Sequence, residues 1–385
     1  MADKSFLHWP FFDADHRAWA AEVEAVAAGL SVDHGDPDAA CRDLVARLGA
    51  AGLLAPTASD RGHFDLRKLC LAREILARHD GLADFAFAMQ GLGTGAITLF
   101  GTPEQKEAWL PQTRRGAAIS AFALTEPGSG SDVANATMTA TRDGAGYVLD
   151  GQKTWISNGG IADVYTLFAR TSDGPGTKGL SAFLVTPDLP GFEVAARLDT
   201  IAPHPLATLR FDACRVPETA RIGEQGQGFK IAMSVLDVFR TTVAAAALGF
   251  ARRALDEALS RVSTRRVQGA PLFDLQMVQG HIADMALDID ASALLIYRAA
   301  WTRDSAATPP RITREAAMAK LFATDQAQQV VDKAVQLFGG DGVRSGETVE
   351  RLYREIRALR IYEGASDVQR VIIARQTLGA FEGDL

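Results

Sequence analysis

Apolar residues recur at helical spacing through the first part of the chain. In Asp15–Ala28 the residues Trp19, Val23 and Val26 share one face, and Asp65–Arg78 repeats the pattern. Further along, Thr102-Pro-Glu-Gln105 combines a cap residue, a proline at the first helical position and a capping-box glutamine. Residues 1–115 are therefore predicted to form a helical N-terminal domain.

From residue 116 the pattern changes to short apolar runs separated by glycine and proline, which is typical of strands. The predicted strands are Ala117–Leu124, Thr137–Thr141, Tyr147–Leu149, Thr154–Ser157, Val164–Ala169, Leu180–Thr186 and Thr208–Phe211. Asp143-Gly144 and Asp150-Gly151 are predicted hairpin turns. Residues 116–226 are therefore predicted to form an all-β middle domain.

Helical spacing returns after Gly228 and continues to the end of the chain. The predicted helices are Phe229–Val262, Leu275–Thr302, Thr313–Phe338, Thr348–Ala358 and a last one over Val368–Gln376. Long helices joined by short connections favour an antiparallel four-helix arrangement over residues 227–385. The fold class predicted for the whole chain is α+β, in the order helical, β, helical.

Composition and charge exclude several classes of protein. The 385 residues are 47% hydrophobic and 23% charged, with a formal net charge of −7, which argues against a nucleic-acid surface or a polybasic membrane patch. The three cysteines are far apart and the seven histidines lack ligand spacing, so neither a disulfide framework nor a metal site is predicted. The N-terminus has no apolar core of a signal peptide, so we expect a cytoplasmic protein.

Glu363 is the candidate catalytic residue. It lies between the bulky pair Ile361-Tyr362 and the flexible Gly364. If this segment is buried, desolvation raises the pKa of the Glu363 carboxylate toward neutrality, where a general base works well. The alternative is a surface turn that ends one helix and caps the next with Ser366 or Asp367.

Three other segments suggest a bound ligand. Ala123–Asp132 follows a strand, and its glycines expose backbone N–H groups that suit a phosphate or a flavin carbonyl, although a long hairpin loop is the alternative. Period-two spacing puts Trp155 and Ser157 on one strand face, as a stacking ring beside a hydrogen-bonding hydroxyl or as a core tryptophan beside a turn. Asp237 and Arg240 are three apart on a helix, as a binding pair or a solvated one.

Four motifs in this order make the chain resemble the acyl-CoA dehydrogenase family of flavoproteins. They are Ala123–Asp132, Gly151–Gly159, Gln336–Gly342 and Ile361–Ser366. The resemblance covers nearly the whole chain. It implies a helical N-terminal domain, a β-barrel-like middle domain and a C-terminal four-helix bundle. It also implies FAD, an acyl-CoA substrate, and α,β-dehydrogenation in which Glu363 takes the α-proton and flavin N5 takes the β-hydrogen as hydride.

The resemblance also implies roles for individual residues. FAD would be bound by Phe122, Leu124, Thr125, Ser131, Trp155, Ile156, Ser157, Gln276, Ala365 and Asp367. Arg265, Gln336, Gly339 and Gly340 would reach the FAD of a neighbouring subunit, and Gln268 would lie at that subunit contact and also bind FAD. The substrate would contact Ser131, Met89, Asp237, Arg240, Tyr362 and Gly364. The implied assembly is a homotetramer, and the implied electron acceptor is an electron-transferring flavoprotein.

Several positions depart from the family pattern. Phe239 occupies the place where some branches carry the base, so Glu363 stands alone as the candidate. His204-Pro-Leu206 replaces a Ser-x-Thr pattern, and Ala202 replaces an arginine, which leaves a carrier-protein thioester open as an alternative to CoA. A related flavin oxidase or monooxygenase is a second alternative. A nucleic-acid-binding relative is a third, which the net charge of −7 disfavours.

Overall fold

The computed structural model describes residues 3–172, 176–306 and 308–383. The chain forms two compact units. The helical unit comprises Met1–Leu30, Asp65–Asp84 and Asp237–Leu385, and the sheet unit comprises Ser31–Phe64 and Phe85–Leu236. The predicted domain boundaries at residues 115 and 226 stay a prediction.

The described residues contain ten α-helices. They are α1 (Ala14–Ala27), α2 (Pro37–Ala50), α3 (Leu66–His79), α4 (Gly81–Phe100), α5 (Pro103–Arg114), α6 (Gly228–Thr264), α7 (Gln276–Asp304), α8 (Thr313–Phe338), α9 (Thr348–Leu359) and α10 (Ser366–Glu382). The predicted capping box at Thr102 and Gln105 is confirmed at the start of α5. Helix α4 was not predicted, because three glycines interrupt its apolar sequence and lower its helix propensity.

The same residues contain ten strands. They are β1 (Ser120–Ala123), β2 (Thr139–Asp143), β3 (Gly146–Ser157), β4 (Val164–Arg170), β5 (Leu180–Val185), β6 (Phe192–Arg197), β7 (Leu206–Pro217), β8 (Arg221–Ile222), β9 (Arg266–Val267) and β10 (Ala270–Pro271). Strands β1 to β8 form one sheet in the order β6-β7-β3-β2-β4-β5-β8, with β1 parallel to β4. Strands β9 and β10 form a separate antiparallel pair.

The large sheet is open, so the β-barrel-like middle domain implied by the resemblance is not a closed barrel. Among the described strands, β6 pairs only with β7 and β8 only with β5, which leaves two edges. The predicted turn at Asp150-Gly151 is also wrong, because β3 runs through both residues and a bulge against β7 absorbs the irregularity. Strand β6 was missed since nearly all its residues are exposed and show no period of two.

Helix α4 passes close to the sheet at Gly93, within the sheet unit. A Cβ atom there would lie 2.5 Å from Ser120 Oγ, so only glycine permits this approach. The contact is reinforced by Gln90, whose Nε2 donates to the Ala118 carbonyl at 2.8 Å and whose Oε1 accepts from the Ser120 amide at 2.9 Å. The position of β1, which leads into the Ala123–Asp132 loop, is thereby set by α4.

In the helical unit, α8 packs against α7, α9 and α10, and α3 packs against α1 and α7. The predicted bounds of α8, Thr313–Phe338, are confirmed. Helix α6 is long and apolar enough to cross a membrane by length and composition, but 89% of its most apolar window is buried in the structure. The four long helices α6, α7, α8 and α10, with the shorter α9, make up the helical C-terminal part.

A buried ion pair fixes the Ala123–Asp132 loop to strand β3. Lys153 is fully buried, and its Nζ lies 2.7 Å from Glu126 Oε1 and donates to the Leu124 carbonyl at 3.0 Å. Burial lowers the pKa of Lys153 to about 8, so the side chain is cationic at neutral pH. Glu126 also accepts from the Thr137 amide at 2.6 Å and from the Met138 amide at 3.1 Å, which, with Lys153, keeps the pKa of this carboxyl low.

We predict that Lys153→Met destabilises the protein by about 3–5 kcal/mol, because it leaves the Glu126 carboxylate buried without its counter-ion. Denaturant unfolding followed by circular dichroism measures this loss. The double variant Lys153→Met/Glu126→Gln should recover part of it, since the orphaned charge is gone. Lys230→Met, on the exposed surface of α6, is the matched control and should change stability by less than about 0.5 kcal/mol. Equal stability of Lys153→Met and Lys230→Met would contradict the prediction.

Candidate active site

The turn between α9 and α10 carries Glu363. The backbone of Glu363 (φ +52°) and of Gly364 (φ +97°) lies in the left-handed region. For a residue with a Cβ this conformation costs of the order of 1–3 kcal/mol, so the surrounding structure has to hold the turn in place. The conformation is a local reason to look for function at Glu363.

Three side chains hold the turn by donating to its carbonyl groups. Arg240 Nε donates to the Glu363 carbonyl at 3.3 Å. The Gly364 carbonyl accepts from Lys320 Nζ at 2.7 Å and from Gln369 Nε2 at 2.9 Å. Among the described residues, the amide N–H of Glu363 has no acceptor. The turn therefore offers a free backbone donor, the Glu363 amide, beside a carboxylate.

The half-buried Glu363 side chain holds one of its carboxylate oxygens away from water. Its Oε2 atom is buried and has no hydrogen-bond partner among the described residues. Burial raises the pKa of Glu363, and the nearby Asp84 raises it further, whereas the positive charges of Arg73, Lys320 and Arg240 oppose the rise. A buried carboxylate with an unused lone pair and a raised pKa is suited to accept a proton from a bound ligand.

Arg73 belongs to a buried network that the sequence did not predict. Its Nε and Nη2 each lie 2.8 Å from an oxygen of Asp84, and its Nη1 donates to Thr242 Oγ1 at 3.1 Å. Arg73 is 2% exposed and Asp84 is 4% exposed. The available signal was two opposite charges eleven residues apart in otherwise apolar segments, but nothing in that spacing connects them to Glu363.

Asp237 and Arg240 form a buried pair on α6, so the solvated alternative is wrong. Arg240 Nη1 donates to Asp237 Oδ1 at 3.1 Å, and the two residues are 5% and 6% exposed respectively. Asp237 Oδ2 accepts from Thr313 Oγ1 at 2.9 Å. The pair places Arg240 where it also reaches the Glu363 carbonyl, so it orients the turn as well as being a predicted substrate contact.

The residues beside Glu363 differ in exposure. Tyr362 is 39% exposed, and the Asp367 side chain is 97% exposed. The predicted capping of α10 by Ser366 or Asp367 is wrong, because Ala365 is the N-cap residue and has no side-chain oxygen to accept a hydrogen bond. Ser366 Oγ instead donates to Asp325 Oδ1 at 2.8 Å, and Arg360 Nε donates to the same oxygen at 2.8 Å. Asp325 thus ties together the two ends of the turn.

In the sheet unit, Trp155 lies on an irregularity of strand β3. The register against β7 shifts between Lys153 and Ile156, and Trp155 has a left-handed backbone (φ +59°). Its side chain is 58% exposed, whereas Ile156 is buried at 1% and Ser157 is half-buried. Trp155 is therefore not a core residue, and its indole is available to a planar ligand.

The other predicted cofactor residues of this unit lie along β1 and the loop after it. The Thr154 amide donates to the Thr125 carbonyl at 2.9 Å, which brings the loop beside the Trp155 segment. Phe122 and Thr125 are half-buried and Leu124 is buried, while Ser131 is exposed farther along the loop. Met89 is buried on α4, and its carbonyl accepts from Ser120 Oγ at 3.3 Å. Residues that are far apart in the sequence thus lie within the same unit.

The predicted FAD-binding residues of α7, α8 and the segments beside them, most of them expected to reach a neighbouring subunit, are exposed in the single chain. Arg265, Gln268, Gln276, Gln336, Gly339 and Gly340 are all exposed. Gly339, with φ +63°, is the C-cap of α8, and a Cβ on Gly339 or Gly340 would meet nothing within 4 Å. Arg261 Nη2 holds this glycine turn by donating to the Phe338 carbonyl at 3.0 Å.

The residues of the sheet unit fit a flavin. An isoalloxazine needs an apolar face to stack on and hydrogen-bonding groups at its edge, and the exposed Trp155 indole beside Ser157 supplies both. No group of three or more His, Cys, Asp or Glu that could hold a metal ion occurs among residues 3–172, 176–306 and 308–383.

Comparison with known proteins identifies the family. Three family models match the chain: the acyl-CoA dehydrogenase N-terminal domain over residues 12–117, the middle domain over residues 121–214 and the C-terminal domain over residues 226–378. The mitochondrial short-chain specific acyl-CoA dehydrogenase of Homo sapiens is 39% identical over 368 residues, which are 94% of this chain and 87% of that protein.

Solved structures agree with these matches. A chain from a study of the electron transferring flavoprotein of Acidaminococcus fermentans and flavin-based electron bifurcation has a TM-score of 0.89 and 34% identity, covering 95% of this chain and 98% of that one. A glutaryl-CoA dehydrogenase from Mycobacterium smegmatis in complex with FADH2 has a TM-score of 0.88 and 27% identity, covering 98% and 97%. The chain therefore belongs to the acyl-CoA dehydrogenase family of flavoprotein oxidoreductases, which act on the CH–CH group of acyl-CoA.

Proposed function

We propose that the protein is an FAD-dependent acyl-CoA dehydrogenase in which Glu363 is the α-proton base. The observation that carries this proposal is the buried Oε2 atom of Glu363, which has no partner among the described residues, on a carboxyl whose pKa is raised by burial and lowered by three cations. A structural carboxylate in that setting would be expected to have its hydrogen bonds satisfied. An unused buried lone pair instead suits an atom that meets its partner only when substrate is bound.

Glu363 acts on the carbon next to the thioester carbonyl. Its Oε2 accepts the α-proton, and the electron pair of that C–H bond moves toward the carbonyl. The free amide N–H of Glu363 supports this step as a donor to the thioester oxygen, where negative charge develops. Because Arg240 and Lys320 hold the carbonyls of the turn, this donor is fixed before the substrate arrives.

The cofactor we propose is FAD. When bound, it supplies the acceptor for the β-hydrogen, which leaves as hydride. Phe122, Leu124, Thr125, Trp155, Ile156 and Ser157 would hold its ring, and Ser131, Gln276, Ala365 and Asp367 would make further contacts. The Trp155 indole supports this assignment for the ring. It is exposed and its backbone is strained, so core packing does not explain a tryptophan at this position.

We further propose a cytoplasmic homotetramer in which each subunit helps to bind its neighbour's FAD. The residues assigned to that contact are Arg265, Gln268, Gln336, Gly339 and Gly340. Their common exposure in the single chain supports the assignment. Sedimentation of the flavin-loaded protein tests the assembly, and a monomer that retains full flavin content would refute it.

The substrate we propose is an acyl-CoA thioester. Ser131, Met89, Asp237, Arg240, Tyr362 and Gly364 would contact it. The burial of Asp237 and Arg240 supports a role for this pair near the reacting carbons rather than at the protein surface. His204 packs edge-on against Phe85, with ring centroids 4.5 Å apart, which shows how the altered segment is accommodated in the sheet unit.

We predict that Glu363→Gln retains FAD and loses acyl-CoA dehydrogenation by at least about 100- to 10,000-fold, the usual contribution of a general base. Anaerobic reduction of the flavin by a panel of acyl-CoAs, read by its visible absorbance, measures this loss. Glu257→Gln, which alters an ion-paired glutamate on α6, is the matched control and should leave flavin reduction unchanged. Near wild-type reduction by Glu363→Gln would refute the base assignment.

We predict that Trp155→Ala weakens FAD retention about two- to tenfold, because an aromatic stacking contact is worth about 0.5–1.5 kcal/mol. The ratio of flavin to protein absorbance after extended dialysis measures the effect. Trp301→Ala removes another exposed tryptophan (42%) from α7 and should leave the ratio unchanged. Full flavin occupancy of Trp155→Ala after dialysis would overturn this assignment.

We predict that the reduced enzyme passes its electrons to an electron-transferring flavoprotein and not to oxygen. Turnover with acyl-CoA should therefore depend on that protein or on a dye in its place, with little oxygen uptake. Rapid oxygen consumption with release of hydrogen peroxide would favour the related oxidase instead. The similarity to a chain from a study of an electron transferring flavoprotein supports the first outcome.

A further inference from the structure

Lys320 is a buried cation that none of the predicted roles uses. It lies on α8 and is fully buried in the helical unit, with buried alanines at positions 316, 317, 319 and 323 of the same helix. The only acceptor of its Nζ among the described residues is the Gly364 carbonyl, at 2.7 Å. A lysine with one acceptor leaves two of its three N–H groups without a partner.

A residue of this kind is costly to keep. Removing an ammonium group from water carries a penalty of several kcal/mol, and an apolar side chain of similar size often gives an equal or greater stability. The same loss of hydration lowers the pKa of Lys320 to about 8. Stability alone therefore does not account for a lysine at this position.

The need to hold the ends of α9 and α10 together does not account for Lys320 either. Asp325, one turn and a residue farther along α8, already joins the two ends of the turn through Arg360, Ser366 and Arg370. These contacts hold residues 360, 366 and 370. The carbonyl groups of Glu363 and Gly364 accept hydrogen bonds from other side chains. Of these side chains, Gln369 shares the Gly364 carbonyl with Lys320 but carries no charge.

We propose that Lys320 is the positioning residue of Glu363: its ammonium group fixes the Gly364 carbonyl and supplies positive charge that keeps the Glu363 carboxylate ionised before substrate binds. This inference rests on the proposed role of Glu363 as base. It assigns to Lys320 no contact with the substrate or the cofactor. The carbonyl that Lys320 holds belongs to the residue next to Glu363, and the positive charge of Lys320 lowers the pKa of the Glu363 carboxyl.

Other charges also act on Glu363, and they decide the sign of the expected effect. Arg73 of α3, Arg240 of α6 and Lys320 of α8 lower the pKa of the carboxyl, whereas Asp84 of α4 raises it. Removal of one of the three cations therefore raises the pKa of Glu363. The base is then protonated over a wider range of acidic pH, and the acid limb of kcat/KM moves to higher pH.

The test compares Lys320→Met and Lys320→Gln with wild type. The first removes both the charge and the donor, and the second removes the charge but keeps a donor for the Gly364 carbonyl. In both variants the acid limb of kcat/KM for acyl-CoA should rise by about one pH unit, the lower end of the effect of a nearby opposite charge. This corresponds to about a tenfold loss of kcat/KM at a pH on that limb.

Hydrogen exchange of the peptide covering residues 360–366 gives a readout that does not depend on activity. Exchange should accelerate in Lys320→Met, because the strained turn loses a donor, and should accelerate less in Lys320→Gln. Lys333→Met is the matched control: Lys333 lies on the same helix, and its Nζ is 3.2 Å from Asp284. Neither the acid limb nor the exchange should change in that variant.

The outcomes separate this inference from the proposed function. An unmoved acid limb or unchanged exchange in Lys320→Met, with Glu363→Gln inactive, overturns the role of Lys320 and leaves the base in place. Full activity of Glu363→Gln overturns the base itself, whatever Lys320→Met does. A loss of kcat in Lys320→Met without any movement of the acid limb would indicate a purely structural lysine and also overturns the inference.

Discussion

The chemistry proposed for the helical unit depends on a carboxylate that has one oxygen kept out of water and three cations acting on it. Desolvation disfavours an ionised Glu363, and the positive charges of Arg73, Arg240 and Lys320 offset that cost. The three cations come from three different helices, α3, α6 and α8, so none of them is near Glu363 until those helices have packed. The electrostatic environment of the carboxylate is therefore a property of tertiary structure, and the short motif around Glu363 does not contain it.

This origin explains which parts of the site could be predicted. Glu363 and Gly364 are adjacent in the chain, and Trp155 and Ser157 are related by strand period, so the sequence indicates them directly. Lys320 is 43 residues from Glu363 and Arg73 is 290 residues from it, and no local spacing relates such positions. A charged residue within an apolar helix indicates an unusual buried position. The sequence alone does not show which distant residue it interacts with.

The fold shows the same division between local and long-range determinants. The capping box predicts the start of α5, and the apolar pattern predicts both ends of α8. The failures involve irregular backbone. Gly151 was interpreted as part of a turn because Asp-Gly is the usual hairpin pair, yet its φ of +138° serves a bulge within β3. Only the pairing of β3 with β7 distinguishes the two, and that pairing is not encoded locally.

Both units use the same device to hold a motif in place. Lys153 donates to the Leu124 carbonyl and Lys320 donates to the Gly364 carbonyl, and burial lowers the pKa of each lysine to about 8. The two lysines differ in their acceptors. Lys153 lies 2.7 Å from the Glu126 carboxylate, whereas Lys320 donates to a backbone carbonyl and acts on the Glu363 carboxylate only through its charge. The pair of Lys153 and Glu126 fixes a loop and has no remaining capacity for a ligand. Glu363 instead keeps one buried acceptor unused at a strained turn, and this combination suits an atom that meets its partner only when a ligand is bound.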